Sequence, residues 1–431
     1  MSSGGLPHAD IAVVGAGAAG LFASIWAGRG LRESGRGGRV IAIDGARKLG
    51  AKILVAGGGR CNVTHHQVDE GAYAGSSRHS IRNVLGRFGV ARTVEFFREQ
   101  GVELKQEETG KLFPVSDDAH SVLNALLAAA AAAGAGVELV HPWRVGAIVR
   151  AEAGGFEIVE RAVEGQAARR WGASRLILAT GGMALPKSGS DGAGYEFARA
   201  LGHTTTPRIF PALVPLLLPA GHWVCGLSGL TTSATLSVRS GGKVVASFTN
   251  SLLCTHFGLS GPGALDVSRY YLAQRAAPGG EGARLVINWA PAQTFEGLDA
   301  ELARGGRQSV ARALAGVGLA ERLARALCGA AGVDGGATLH TLSREARRGV
   351  AGMVTQFEVP VTGDRGFTYA EVTAGGVPLG EVQLGTMESR VCPGLYLCGE
   401  ILDVDGRIGG FNFQWAWATG FVAGVASAAG L

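Results

Sequence analysis

A chain of 431 residues that is 47% hydrophobic and 17% charged is globular, and it is longer than one hydrophobic core usually supports. Its net charge of +5 is mild for that length, so it permits an anionic substrate or RNA and requires neither. The six cysteines, at 61, 225, 254, 328, 392 and 398, form no CxxC pair; this speaks against a disulfide framework and a zinc finger, and no metal site is expected.

Residues 1–10 lack the basic-then-apolar layout of a signal peptide, so a cytoplasmic location is expected. Residues 11–14 (Ile-Ala-Val-Val) are a short apolar run that predicts a buried strand. The turn Gly15-Ala16-Gly17-Ala18-Ala19-Gly20 follows, then an apolar helix over 18–28 and a second strand over 39–44. This is a βαβ unit, which needs a parallel sheet. A GxGxxG pattern alone is weak, but between a strand and a helix it has a mechanism. Gly15 permits the tight turn, Gly17 lets the backbone approach a pyrophosphate, and Gly20 allows close packing of helix on sheet. Ala18 and Ala19 open a helix whose N-terminus brings about half a positive charge to the phosphates. Asp44 ends the second strand, where a carboxylate accepts from a ribose diol and disfavours a 2′-phosphate.

Between 64 and 101 the pattern is helical and charged, with Arg78, Arg82, Arg87, Arg92 and Arg98 set against Glu95. A solvated helix face explains this, and so does an RNA contact. Ser116-Asp117-Asp118 offers an N-cap for an alanine-rich helix over 119–133. Residues 137–140 resume strand, and the runs 145–151 and 156–160 predict a hairpin, with Val145 placed among the cofactor contacts. Residues 175–180 are a buried strand that closes on Ala179-Thr180-Gly181-Gly182, in the manner of a second loop under a nucleotide. From 206 to 290 short β-like runs dominate; from 291 to 350 the chain turns helical and rich in Ala, Leu and Arg; strand signals return near 356. The final stretch, 411–431, carries no charge and is long enough to span a bilayer, but Asn412, Gln414 and its glycines favour a buried helix of a soluble core and no membrane association.

Three further segments point to a flavin. Lys52 is followed by Gly57-Gly58-Gly59-Arg60-Cys61-Asn62, where three glycines suit close backbone approach to a flat ring or phosphate. Gly399-Glu400 ends a strand with an acid able to bind ribityl hydroxyls. Gly409-Gly410-Phe411-Asn412 opens the last helix, whose N-terminal amides suit the flavin pyrimidine, where negative charge builds on reduction. Together with the first turn they predict FAD. Arg60 and Lys52 are placed to neutralise phosphate or reduced flavin, with a surface role as the alternative.

These segments resemble the HI0933-like family of bacterial flavoproteins, which includes bile-acid reductase and ribosomal-RNA dihydrouridine synthase types. The matching text is 57–62, Thr180-Gly181-Gly182 with Pro186 and 189–194, Thr255-His256-Phe257-Gly258-Leu259-Ser260-Gly261-Pro262, and 399–406 with Asp405 through Asn412-Phe413-Gln414. Met183 departs from the small polar residue expected there. The resemblance implies an α/β protein: a Rossmann-like, glutathione-reductase-like FAD-binding domain with a parallel sheet and β-meander, split by a β-barrel-like insertion and a helical subdomain. The expected boundaries are 1–205 with 365–431 for FAD, 206–290 for the β domain and 291–364 for the helical part. It also implies reduction of an activated C=C bond by hydride from flavin N5, on either a uridine of ribosomal RNA or a small enone. No second GxGxxG appears, so no separate nicotinamide domain is expected: either NADH or NADPH docks transiently at the flavin face, or another reductant serves. The rival expectation is a flavin-containing RNA-binding or assembly protein without turnover. Cys61 and His256 are the catalytic candidates: a thiol beside the flavin, or an imidazole on the insertion, could supply the proton. For each, the alternative is a structural role.

Overall fold

The computed structural model describes residues 6–429 except 36, 135, 153, 165 and 166, so the expectations for the first five and the last two residues lie outside the described residues. The chain divides into two compact units, Met1–Pro211 with Val372–Leu431, and Ala212–Glu371.

The first unit is built on a parallel sheet. Among its nine described strands are β1 (His8–Val14), β2 (Val40–Ile43), β3 (Val137–Val140), the hairpin β4 (Val145–Arg150) and β5 (Phe156–Glu160), β6 (Arg170–Leu178) and β7 (Leu395–Leu397). The parallel order is β7-β6-β1-β2-β3. Ile11 lies beside Val40 on one side and Arg175 on the other, and Ile177 beside Tyr396. Residues 11–13 are apolar without alternation because both faces of a parallel sheet are covered. β4 and β5 form the expected hairpin and join antiparallel to β6.

Four helices matter for the site: α1 (Ala18–Glu33), α2 (Ala51–Gly59), α3 (Ala119–Ala132) and α4 (Phe411–Ala428). α3 is capped by the Asp118 carboxylate, which accepts from His120 N–H at 2.9 Å. The uncharged α4 is a buried helix of this unit, and no described helix is long and apolar enough to cross a membrane. Its composition follows from its packing on α1. A Cβ on Gly420 would stand 2.7 Å from the Ala19 carbonyl oxygen, and one on Gly424 would stand 2.4 Å from that of Ala23. The two backbones therefore nearly touch, and a Gly424→Val protein should be destabilised by about 1–3 kcal/mol through overpacking, measurable by denaturant melting.

The second unit holds a seven-stranded antiparallel sheet in the order Phe357–Val359, Arg284–Asn288, Thr231–Ser240, Lys243–Thr255, Gly258–Ser260, Leu216–Leu217, Gly363–Asp364. The helix Gly261–Ala276 begins where Ser260-Gly261-Pro262 suggests, with proline in its first turn. Helices fill 295–355, as the composition there indicates. Because Gly363–Asp364 pairs with Leu216–Leu217, the chain stays in this unit through Glu371 rather than leaving it at 365.

Candidate functional site

The first turn separates into packing glycines and an open one. Gly15 has φ +100°, and a Cβ there would meet the Ala179 carbonyl oxygen at 2.4 Å; at Gly20 it would meet that of Gly15 at 1.7 Å. At Gly17 it would meet nothing within 4 Å. Gly17 is also the N-cap of α1, with no side-chain cap and no acid in the first turn, so the N–H groups of this helix end are left to a ligand. Asp44 braces the turn: its carboxylate accepts from Ala16 N–H and from Ala46 N–H, each at 2.7 Å. Val145 starts β4 just past Trp143, whose N–H donates to the Asp44 carbonyl at 2.8 Å.

A second group gathers around Glu400. Lys52 Nζ reaches one of its carboxylate oxygens at 2.5 Å, and Thr373 N–H donates to the other at 3.0 Å. The Thr373 hydroxyl accepts from Met183 N–H at 2.7 Å and Ala184 N–H at 3.0 Å, and it leaves no room for a Cβ on Gly182. Lys52 and Glu400, singled out separately from sequence, are thus one hydrogen-bonded group with Thr373, and Gly182 packs directly against it. Sequence reasoning passed over Thr373, because a lone threonine after a long insertion carries no local signal. Gly399 is held by Thr419 Oγ1, which accepts its N–H at 3.0 Å. Thr180 Oγ1 is buried without a partner among the described residues, and Gly181 has φ +70°.

The third group is the stretch after Lys52. α2 is a short helix broken at Ala56, after which Gly57, Gly58 and Gly59 have φ of +59°, +70° and +88°. Three consecutive left-handed residues are affordable only to glycine. Asn62 Oδ1 is buried and unpartnered among the described residues. Arg60, by contrast, is engaged elsewhere: it pairs with Glu107 at 2.6 Å and Asp117 at 3.6 Å, and lies over the Phe113 ring. Its charge is neutralised by these acids. Cys61 is fully buried, and burial pushes its thiol up to about 12. It remains a packed thiol at neutral pH. Iodoacetamide at pH 8 should leave Cys61 unmodified in the native protein and label it only after denaturation, as peptide mass spectrometry would show.

The fourth group is the start of α4. Gly410 has φ +92°, and a Cβ on it would stand 2.5 Å from the Thr64 carbonyl carbon. The N-cap is Gly410, which has no side chain to cap the helix, and the Asn412 side chain is turned to the Gly406 backbone, which it brackets at 2.8 and 2.9 Å. The Phe411 ring stacks on His65 at 4.8 Å, and its carbonyl accepts from Tyr73 OH at 2.8 Å. Gln414 is wholly buried: Oε1 accepts from Thr64 Oγ1 at 2.7 Å and Thr93 Oγ1 at 2.9 Å, and Nε2 donates to the Phe88 carbonyl at 2.8 Å. Asp405 is buried in the short ladder with Ala74, behind this helix start. His256 belongs to the second unit, exposed in the turn between Lys243–Thr255 and Gly258–Ser260. No group of His, Cys, Asp and Glu among the described residues could hold a metal.

These features fit a dinucleotide carrying a flavin. An uncapped helix end under an open glycine suits a pyrophosphate; two orphaned buried oxygens, Asn62 Oδ1 and Thr180 Oγ1, call for donors. A profile described as the HI0933-like protein Rossmann domain matches residues 9–426. The chain belongs to the HI0933-like family. With that membership stand the Rossmann-type FAD domain and the oxidoreductase class that the motifs carry. A 3-dehydro-bile acid delta(4,6)-reductase of Clostridium scindens is 35% identical over 422 residues, 97% of this chain and 98% of its own. A ribosomal RNA dihydrouridine synthase of Escherichia coli is 32% identical over 415 residues, 95% of this chain and 96% of its own. Among solved structures, the 3-ketosteroid delta1-dehydrogenase of Sterolibacterium denitrificans matches with a TM-score of 0.52 at 12% identity, over 98% of this chain and 99% of that one. An Escherichia coli quinol fumarate reductase matches with 0.51 at 14% identity, over 98% of this chain and 70% of that one. At such identities the two structures speak for the fold alone.

Proposed function

We propose that this HI0933-like protein reduces a C=C bond conjugated to a carbonyl, with NADH or NADPH as the source of electrons. The observation that carries the reading is the pair of relatives, each aligned over at least 95% of this chain, whose names describe saturation of such a bond, one in a steroid acid and the other in a uracil ring. Bound FAD supplies a hydride from N5. The chain's own residues bind and orient. The α1 N-terminus with Gly17 takes the pyrophosphate, Asp44 the ribose, and the backbone near Val145 the adenine side. Glu400, fixed by Lys52 and Thr373, takes the ribityl hydroxyls. The N–H groups opening α4 offset the negative charge of reduced flavin.

For the proton we assign His256 rather than Cys61. The imidazole is exposed, whereas the thiol is sealed in the core and held protonated by burial. His256→Ala should lower kcat by about 100-fold or more, and Cys61→Ser by less than about tenfold; equal losses would overturn the assignment.

The arginines favour a small enone over RNA as substrate. Arg82 is paired with Glu70, Arg98 with Glu95, and Arg92 lies over Phe88 and Phe421. In the helical region Arg347 and Arg348 share Asp299, Arg325 pairs with Glu321, and Arg322 is spent on the Gly226 carbonyl. Arg304, Arg307, Arg312 and Arg344 stay exposed. The deciding experiment mixes holoprotein anaerobically with NADH or NADPH, then adds an enone or ribosomal RNA. Bleaching of the yellow colour and its return on adding enone supports the reading. Return with RNA, together with loss of one dihydrouridine from ribosomal RNA in cells lacking the protein, moves the substrate to RNA. No bleaching with either nucleotide favours the non-catalytic alternative.

A further inference from the structure

The second unit holds a cation that the chemistry above has not used. The two-residue strand Leu216–Leu217 is paired on both sides: Leu217 lies beside Gly258 on one flank and Gly363 on the other. The residues just outside those partners are therefore brought together. They are the His256-Phe257 turn and Arg365. Backbone bonds pin both, Leu218 N–H to the Phe257 carbonyl at 3.0 Å and Arg365 N–H to the Pro215 carbonyl at 3.1 Å. Thr255 Oγ1 closes the turn by accepting from Gly258 N–H at 3.1 Å. On the other side Asp364 accepts from Gly366 N–H at 2.7 Å, and Gly366, at φ +69°, turns the chain so that Tyr369 comes back over Arg365.

The result is a guanidinium set over two aromatic rings. Its carbon lies 4.4 Å from the ring centre of Phe257 and 3.4 Å from that of Tyr369. The His256 ring stands edge-on to Phe257 at 5.1 Å. Tyr369 and His256 are exposed and Arg365 half-exposed. Among the described residues no carboxylate is ion-paired with Arg365, and no side-chain hydrogen bond uses its N–H groups. Stacking on aromatic faces holds the plane of a guanidinium and leaves its in-plane donors turned outward, and an ordered fork of this kind loses little entropy when an oxygen arrives.

We infer that Arg365, clamped by Phe257 and Tyr369 with His256 alongside, is the site that takes the substrate's carbonyl oxygen. The inference rests on the conjugated-carbonyl reading of the function. Hydride adds to the far carbon of the C=C bond, the displaced pair passes through the conjugated system, and the carbonyl oxygen becomes an enolate oxygen. A proton on the near carbon then restores the carbonyl, and the two electrons are those that NADH or NADPH delivered to the flavin. A cation beside that oxygen favours the charge-separated state more than the neutral substrate, which is the condition for faster turnover. A ketosteroid-like enone and the uracil ring both present such an oxygen, so the site serves either source.

The test uses the full-length, FAD-loaded protein and 4-nitrophenolate, an oxyanion conjugated to a ring, titrated by calorimetry. Arg365→Gln should weaken binding about 10- to 100-fold, the worth of a charged hydrogen bond. Arg365→Lys should retain part of the affinity, and Tyr369→Leu should lose several-fold. FAD content and melting temperature should match the wild type; if Arg365→Gln fails either check, Arg365→Lys decides, and wild-type affinity in it overturns the inference. In turnover, with androst-4-en-3-one or a ribosomal RNA transcript, Arg365→Gln should both raise KM and lower kcat. Unchanged probe binding and kinetics, or a wild type that does not bind the probe, overturns the inference and leaves the reductase reading standing. Arg365-dependent probe binding with no reduction of either compound keeps the oxyanion site and removes the reductase reading.

Discussion

A Gly17→Glu protein should fold as an apoprotein and fail to hold FAD. Gly17 has φ −80° and ψ −163°, an extended conformation open to any residue, and a Cβ there meets nothing within 4 Å. A carboxylate at the N-cap of α1 even favours the free helix, by roughly 0.3–1 kcal/mol. The same charge would sit where the pyrophosphate must sit. At about 4 Å and an effective dielectric near 20, like charges repel by about 4 kcal/mol, so affinity should fall by roughly two to three orders of magnitude. FAD fluorescence titration of apoprotein gives the affinity, and a denaturant melt of the same sample gives the stability. Gly20→Ala is the contrasting control. Its Cβ would stand 1.7 Å from the Gly15 carbonyl oxygen, so it should lower stability and flavin retention together. A yellow Gly17→Glu protein with a full complement of FAD would show that the pyrophosphate does not lie over this turn.

Gln414→Leu should be among the costliest single changes in the first unit. The leucine fits the helix but strands the Thr64 and Thr93 hydroxyls and the Phe88 carbonyl, all of which the amide now satisfies. Each buried group left without a partner costs about 1–3 kcal/mol, which sums to roughly 3–9 kcal/mol and, in a unit this large, roughly 6–18 °C of melting temperature. The flavin should suffer as well, because Thr64 is the residue against which Gly410 packs at the start of α4. Gln414→Glu is the control: it keeps the shape and an acceptor for the two hydroxyls but sets an ionised oxygen against the Phe88 carbonyl, so it should cost at least as much as Gln414→Leu at neutral pH and recover at a pH low enough to protonate the buried carboxyl. Equal stability of Gln414→Leu and wild type, measured by thermal melting of apoprotein, would remove Gln414 from the account of how α4 is held.

Much of this was legible in the residues themselves. The Ile-Ala-Val-Val run, the glycine turn and Asp44 could hardly encode anything but strand, tight turn and strand end, since positive φ, a missing Cβ and an unbroken apolar run each have few structural uses. The same holds for the left-handed glycines 57–59 and for the helix after Ser260-Gly261-Pro262. The charged residues were harder to read. Arg60 and Lys52 are a few positions apart in one glycine-rich stretch, yet Arg60 turns to Glu107 and Asp117 while Lys52 turns to Glu400. A long flexible side chain takes its role from whichever acid folding brings within reach, and sequence spacing does not carry that information. Cys61 makes the same point through burial: the sequence places a thiol in a glycine-rich loop, and only the packing shows that it is buried and its thiol pushed up to about 12.

The sequence by itself determined the class of ligand and the order of the fold's parts. Glycines at 15, 17 and 20, an acid at 44 and Gly399-Glu400 near the far end constrain backbone shape locally, and local shape is what single residues encode. Only the tertiary structure decided which side chains act together. Thr373 joins Met183 and Ala184, and Arg365 meets Phe257 across a two-residue strand. Those meetings depend on strand register and on chain segments more than a hundred residues apart, so no local pattern announces them.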